Sequence, residues 1–178
     1  MENSLNYNLE IAKPGDAESI FELLKKTWVT TYPRQHEDPK YNITVEDIEK
    51  NRFKNPEESI QKSKQELLNP GDHRTWVVRN SWGQIVGMCA VYNVLENKRI
   101  RAIYVDPEFH GKNLGRMLLS EAINYLGQDS KIYLTVATYN EHAIGFYEKF
   151  GFKFNRNMPE EDRFIPGKVI PELEMIRN

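Results

Sequence analysis

The chain has 178 residues, 39% apolar and 28% charged, with a formal net charge of −2; that length favours one domain with a sizeable core, and the charge argues against a general nucleic-acid binder. No apolar run approaches the ~18 residues of a membrane span, and the amino terminus lacks the basic start and apolar stretch of a signal peptide. Cys89 is the only cysteine, so no internal disulfide is available, and together these features point to a cytoplasmic protein with no membrane and no nucleic-acid partner.

Along the chain, residues 7–13 (YNLEIAK) set Leu9 and Ile11 against polar neighbours, the alternation of a strand. Pro14-Gly15-Asp16 then gives a turn and a helix start, and the helix runs to about Val29 with Ile20, Leu23, Leu24 and Trp28 on one side. Residues 31–72 are polar and carry Pro33, Pro39, Pro56 and Pro70. Two helices fit there. One starts at Thr44, an N-cap followed by acids in the first turn, and one starts near Pro56 and holds Ile60, Leu67 and Leu68. The segment has too little apolar content for its own core, so it reads as a variable helical insertion on one rim of a single domain spanning 1–178.

Three strand patterns follow at 74–80, 84–94 and 99–105, the first two joined by a turn at Asn80-Ser81-Trp82-Gly83, and they predict an antiparallel meander. Residues 115–126 predict a helix ended by Gly127, with Leu118, Leu119, Ala122, Ile123 and Leu126 as its buried stripe. A strand at 131–138, a helix at 140–150 capped by Asn140, and strands at 151–155 and 172–177 complete the chain. The order predicts a mixed α/β fold with helices on both faces of a central sheet, in which 99–138 forms a right-handed parallel crossover.

The turn between 99–105 and 115–126 reads DPEFHGKNLGR. It places Gly111 and Gly115 with Lys112 and Arg116 where a helix begins. A helix start offers unpaired N–H groups and partial positive charge, and glycine lets a ligand approach the backbone. Asn113 tolerates a left-handed conformation better than most residues. On local physics a phosphate cradle and a plain turn with two solvated cations both remain open. The nucleotide-hydrolase loop and the Gly-x-Gly-x-x-Gly dinucleotide fingerprint are absent. His36, His73, His110 and His142 are dispersed without metal-ligand spacing, so no metal is expected, and Cys89 between Met88 and Ala90 reads as a core residue.

Val105-Asp106-Pro107, then His110 to Arg116, then Leu118-Leu119, resembles the coenzyme A motif of the GNAT superfamily of N-acetyltransferases. Asn140, Ala143, Phe146, Tyr147 and Gly151-Phe152 resemble that family's second signature. There are two departures: His110 stands where Gln or Arg is usual, and Asn113 replaces the central glycine. The resemblance implies a sheet that splays open after the strand ending near Val105, with acetyl-CoA as cosubstrate in the splay. The backbone of Ile103, Tyr104 and Val105 would pair with the pantetheine arm. Gly111, Lys112, Asn113, Leu114, Gly115 and Arg116 would hold the pyrophosphate, and Asn140 would bond the arm from the far side.

By the same resemblance the reaction is attack of a neutral amine, on a small molecule or a protein, on the thioester. Val105 N–H would face the developing oxyanion, and Tyr147 would contact the cofactor and act as the catalytic acid. No base is identified, because Thr135 stands where some relatives carry glutamate; Glu96, Asp106 and Glu108 read as surface charge. Segment 31–72 would border the acceptor, and its acids raise a polyamine as one candidate. Trp28 reads as core, and Tyr32 as either core or acceptor-lining. A second reading is an acyl-CoA-binding sensor with the same fold and little catalysis. The oligomeric state is open, a homodimer included.

Overall fold

The computed structural model describes residues 6–178. Seven strands form its centre: β1 (Asn8–Ile11), β2 (His73–Arg79), β3 (Ile85–Val94), β4 (Asn97–Val105), β5 (Ile132–Ala137), β6 (Lys153–Asn157) and β7 (Glu172–Arg177). They lie in one sheet in the order β1-β2-β3-β4-β5-β7-β6. All neighbours are antiparallel except β4 and β5, the parallel pair expected of the strand–helix–strand unit.

Helices cover both faces. On one, α1 (Ala17–Thr31) sets Ile20 and Leu23 against Val77, Ile85 and Met88, while α2 (Val45–Asn51) and α3 (Pro56–Leu68) lie beyond it. On the other, α4 (Leu114–Leu126) and α5 (Glu141–Glu148) pack on the sheet's main core. The buried stripe of α4, with Leu114 added to the five expected residues, meets Val86, Cys89, Ile100, Ile132 and Leu134. Each large aliphatic side chain so buried is worth roughly 1.5–3 kcal/mol against exposure. The sequence pattern understated the anchoring of residues 31–72. Ile43, Ile48 and Phe53 are buried with Phe21 and Trp28 of α1, so the segment shares a core with that helix. Its apolar residues are few but converge, because the Thr44–Asp47 capping box fixes where α2 begins and which side Ile48 presents.

Two boundaries differ from the sequence pattern in ways that matter later. Strand β6 begins at Lys153 because Gly151, at φ +85°, turns the chain and drops Phe152 into the core. The parting of the sheet begins inside β4. Residues Lys98, Arg99 and Ile100 pair with Ile132, Tyr133 and Leu134, and the ladder between β4 and β5 stops there. At that point Arg101 is an extra residue in β4: Ile100 faces Val91 and Ala102 faces Ala90 of β3. A bulge of this kind increases local twist and bends the strand. The sheet therefore opens from Arg101 onward, before the strand ends at Val105.

Candidate active site

The opening is bounded on one side by the last residues of β4 and the turn that follows. Asp106, only 3% exposed, caps a single 3-10 turn at Pro107–Phe109 by accepting the N–H of Glu108 at 3.0 Å, and it is held by Lys26 of α1 at 2.9 Å. Asp106 is thus a buried structural acid that fixes the start of the turn, not the surface charge expected. Glu108 also reaches Lys26, at 2.7 Å. The chain then passes Gly111 at φ +77° and Asn113 at φ +61°, ψ +11°. Asn113 is the one non-glycine residue at positive φ among the described residues.

The first bond of α4 runs from Met117 N–H to Asn113 C=O at 3.0 Å. The N–H groups of Leu114, Gly115 and Arg116 therefore have no helical acceptor, and they cluster at the positive end of the helix dipole. Lys112 lies over the Phe109 ring at 4.9 Å and Arg116 over Phe150 at 5.4 Å. Neither cation has an acid within salt-bridge reach among the described residues, so both charges remain for an anion. A Cβ at Gly115 would meet the Phe146 ring of α5 at 3.4 Å, an ordinary contact, so packing alone does not demand glycine there. These unpaired N–H groups and the two cations have the chemistry that a pyrophosphate requires.

The β4 edge is the next wall. Asp106 N–H bonds to Val86 C=O at 2.9 Å, and antiparallel alternation then turns the Tyr104 backbone toward β3 and those of Ile103 and Val105 toward the opening. Of the three residues expected to pair with the pantetheine arm, two have the backbone direction for it. Tyr104 does not, and faces the site with its side chain instead. His110 Nε2 lies 3.1 Å from Val105 C=O. With the proton on Nε2, His110 ties up that carbonyl and leaves Val105 N–H as the free donor. This gives the departure at His110 a role in shaping the edge.

Across the opening, Asn140 caps α5 by accepting Ala143 N–H at 3.1 Å. Its Oδ1 is committed to the helix, so its side-chain N–H₂ is what remains to donate. Tyr147 lies on the same helix with its ring against Phe146 and Phe152. Burial pushes its hydroxyl well above the usual tyrosine range, so it stays protonated throughout the physiological range.

On the α1 face the opening joins a cavity of about 970 Å³ reached by Trp28, Tyr32, Arg52, Tyr104, Thr135 and Glu172. Trp28 is buried, as expected of a core residue, but its Nε1 also donates to Tyr104 Oη at 3.0 Å. Tyr32 stacks on Trp28 at 4.5 Å between ring centres, lines the cavity, and accepts through its carbonyl from Tyr139 Oη at 3.3 Å.

Two acids were missed from the sequence. Glu174 sits directly across from Thr135, and Glu172 across from Ala137. Burial opposes the charge of Glu174, but hydrogen bonds from Arg99, Asn155 and Arg156 outweigh it and hold its carboxyl below the usual range. Glu172 is the reverse: burial raises its carboxyl above the usual range, and its pairing with Arg163 offsets this only in part. The segment 31–72 does not present its acids to the cavity as a group. Asp38 and Asp47 cap helical turns, Glu46 and Glu49 pair with Lys50 and Lys25, and of the segment's acids only Glu58 and Glu66 line the wall. Among the described residues no group of three or more His, Cys, Asp or Glu could hold a metal ion, and no helix is long and apolar enough to cross a membrane.

Comparison with known proteins gives the same frame. The structure of PaiA N-acetyltransferase from Thermoplasma acidophilum in complex with coenzyme A superposes with a TM-score of 0.70 at 19% identity, covering 97% of this chain and 99% of that one. Spermidine N-acetyltransferase from Vibrio cholerae, solved with CoA and spermine, superposes at 0.66 with 21% identity over 96% and 94% of the two chains. In sequence, 100 residues are 32% identical to the peptidyl-lysine N-acetyltransferase YjaB of Escherichia coli, over 56% of this chain and 61% of that protein, so the match spans about three fifths of that relative's length. A further 31% identity over 125 residues links the chain to spermidine N(1)-acetyltransferase of Vibrio cholerae, over 65% of this chain and 71% of that one. Residues 17–152, from the start of α1 through the N–H-lined turn to Phe152, match the acetyltransferase (GNAT) family, and the chain belongs to it.

Proposed function

We propose that the protein is an acetyl-CoA-dependent N-acetyltransferase that moves an acetyl group to a primary amine of a small molecule or protein. One observation carries the reading: β4 and β5 part at Arg101, close to a turn whose helix-start N–H groups have no acceptor and whose two cations have no acid partner among the described residues. The residues that would hold the coenzyme are Ile103 and Val105 through their backbones, 111–116 around the pyrophosphate, and Asn140 through its amide nitrogen. Relatives named for acetylating peptidyl-lysine and spermidine support an amine acceptor.

Each chemical need has a group near the opening. An alkyl ammonium has a pKa near ~10.4, so only about one molecule in a thousand is neutral at pH 7. Glu172 is the acid suited to take its proton, because its raised pKa makes it a better base than the tightly paired Glu174. As the nitrogen bonds to the thioester carbon, charge grows on the carbonyl oxygen, where Val105 N–H can donate. The C–S bond then breaks, the Tyr147 hydroxyl supplies a proton to the leaving thiolate, and the extra proton on the new amide nitrogen leaves to restore the tyrosine hydroxyl, directly or through water.

Calorimetry with coenzyme A and a thiol-release assay with acetyl-CoA across amines, amino acids and peptides test the reading; absence of both binding and release sinks it. The sensor reading rests on Asn113 in a glycine position and on Thr135 where some relatives carry glutamate; the φ of +61° at Asn113 is one the turn accommodates, and Glu172 stands as the proposed base in place of the missing glutamate. Binding without release on the whole panel would restore it.

A further inference from the structure

The cavity on the α1 face carries more positive charge than acetyl transfer calls for. Its walls hold seven arginines and lysines against three glutamates, on a chain whose net charge is −2. Several of these cations are engaged: Arg99 with Glu174, Arg163 with Glu172, and Arg101 with the His73 ring. Arg52 is not. It follows α2 as its C-cap, with its guanidinium 5.2 Å from the Trp28 ring centre and 5.1 Å from that of Phe53. Its Nε is shut off from solvent and has no hydrogen-bond partner, and no carboxylate lies within salt-bridge reach among the described residues.

Stacking uses the faces of a guanidinium, while its N–H groups lie in the plane and remain free to donate. A buried donor without an acceptor is costly, and such groups in native proteins call for an explanation. A ligand oxygen cannot reach Nε itself, which is closed to solvent, but the half-buried Arg52 side chain lines the cavity, where a ligand oxygen can meet its terminal N–H groups. The position fits an acceptor, since the Trp28 indole under Arg52 also donates to Tyr104 Oη at the opening. The charge of Arg52 is felt at that hydroxyl, where it offsets part of the rise caused by burial.

We propose that the acceptor is a small amine that also bears a carboxylate, as an amino acid does, and that Arg52 binds this carboxylate while the amine faces Glu172 and the opening. The proposal rests on the acetyl-transfer reading for its amine end and on Arg52 alone for its anionic end. A polyamine would set cations against Arg52 and a net positive wall. Planar, two-point bonding to a carboxylate is what a guanidinium offers and an ammonium does not.

The test uses acceptor pairs that differ by one carboxylate: lysine and cadaverine, ornithine and putrescine, phenylalanine and phenethylamine. In any pair that reacts, the acid-bearing member should be favoured at least ~10-fold in kcat/KM, one good charge-assisted contact or more. Arg52→Met, which keeps an unbranched apolar side chain beside the rings, should raise KM for that member about 10-fold, leave its kcat intact and leave the decarboxylated member unchanged. Arg52→Lys should recover part of the loss. Calorimetry on the coenzyme-bound protein reads the same preference without turnover. Acid binding that Arg52→Met abolishes, with no thiol release from any pair, would keep the carboxylate site and remove acetyl transfer. Equal or tighter binding of the decarboxylated members, insensitive to Arg52→Met, would overturn the carboxylate site while leaving acetyl transfer standing.

Discussion

The two banks of the opening are built in different ways. The proposed coenzyme side is made of backbone: the β4 edge, a left-handed Asn113, and three N–H groups at the start of α4, all within residues 103–116. The proposed acceptor side is made of side chains brought from α1, the end of α2, β5, β7 and the loop before β7: Trp28, Arg52, Thr135, Glu172 and Phe164. A backbone site is fixed by local conformational preferences and tolerates changes of side chain. A side-chain site depends on how distant segments pack, so single substitutions there should alter chemistry and selectivity more sharply.

The largest effect expected is at the junction of the two. Tyr147→Phe removes the proposed acid and keeps the ring packed on Phe146 and Phe152. We expect kcat to fall ~100- to 1,000-fold with coenzyme affinity unchanged in calorimetry. A rate within threefold of wild type would assign Tyr147 to packing alone. Next in size, Glu172→Gln should lower kcat ~100-fold. Burial raises the Glu172 pKa, so its basic form is lost on acidification sooner than an ordinary carboxylate, near ~4.3, would lose its own. Wild-type kcat at saturating acceptor should therefore fall with pH through a value above that mark, and the variant should lack this limb. If the limb persists in the variant, it belongs to another group.

Glu174 sharpens the contrast with the half-buried Glu172, because it is fully buried and serves stability. Glu174→Gln leaves Arg99 and Arg156 without their carboxylate and should cost about 2 kcal/mol, less than a fully buried pair because Arg156 is largely exposed. The folded pKa of Glu174 lies below its unfolded value. Its contribution is thus fully present above the unfolded value near ~4.3 and is lost as pH falls through the folded one. Urea unfolding should show a gap between wild type and variant at pH 7 that closes in that acid range. A gap constant with pH would mean the loss comes from packing.

The same division explains what could be read from the sequence. Strand and helix order followed from periodicity, and the turn was legible because Gly111, Asn113 and the two cations sit next to each other in the chain. The start of the parting was not, since the Arg101 bulge depends on how β3 pairs with β4 and leaves no mark in the order of residues. Glu172 and Glu174 were hidden in a strand that reads only as ELEMIR; their opposite shifts come from burial at Glu172 and, at Glu174, from Arg99, Asn155 and Arg156 lying elsewhere in the chain. Arg52 looked like one more charge in a polar segment. Its isolation is visible only once Trp28 and Phe53 close around it.

The smallest effect belongs to the backbone side, at Asn113. Its φ of +61° is a conformation that glycine adopts freely, asparagine adopts with modest cost and alanine adopts poorly. Asn113 makes no side-chain cap to α4, so a substitution tests the conformation and not a lost hydrogen bond. Asn113→Ala should cost about 1 kcal/mol, read as a ~5-fold weaker coenzyme A affinity or as an equal loss of stability, according to whether the turn stays formed without ligand. Asn113→Gly should leave affinity equal or slightly better. Both variants should keep wild-type selectivity among acceptor pairs, because the turn does not touch the α1-side cavity. A change of selectivity at Asn113 would mean the two banks are coupled through α4, and the comparison drawn between them would fail.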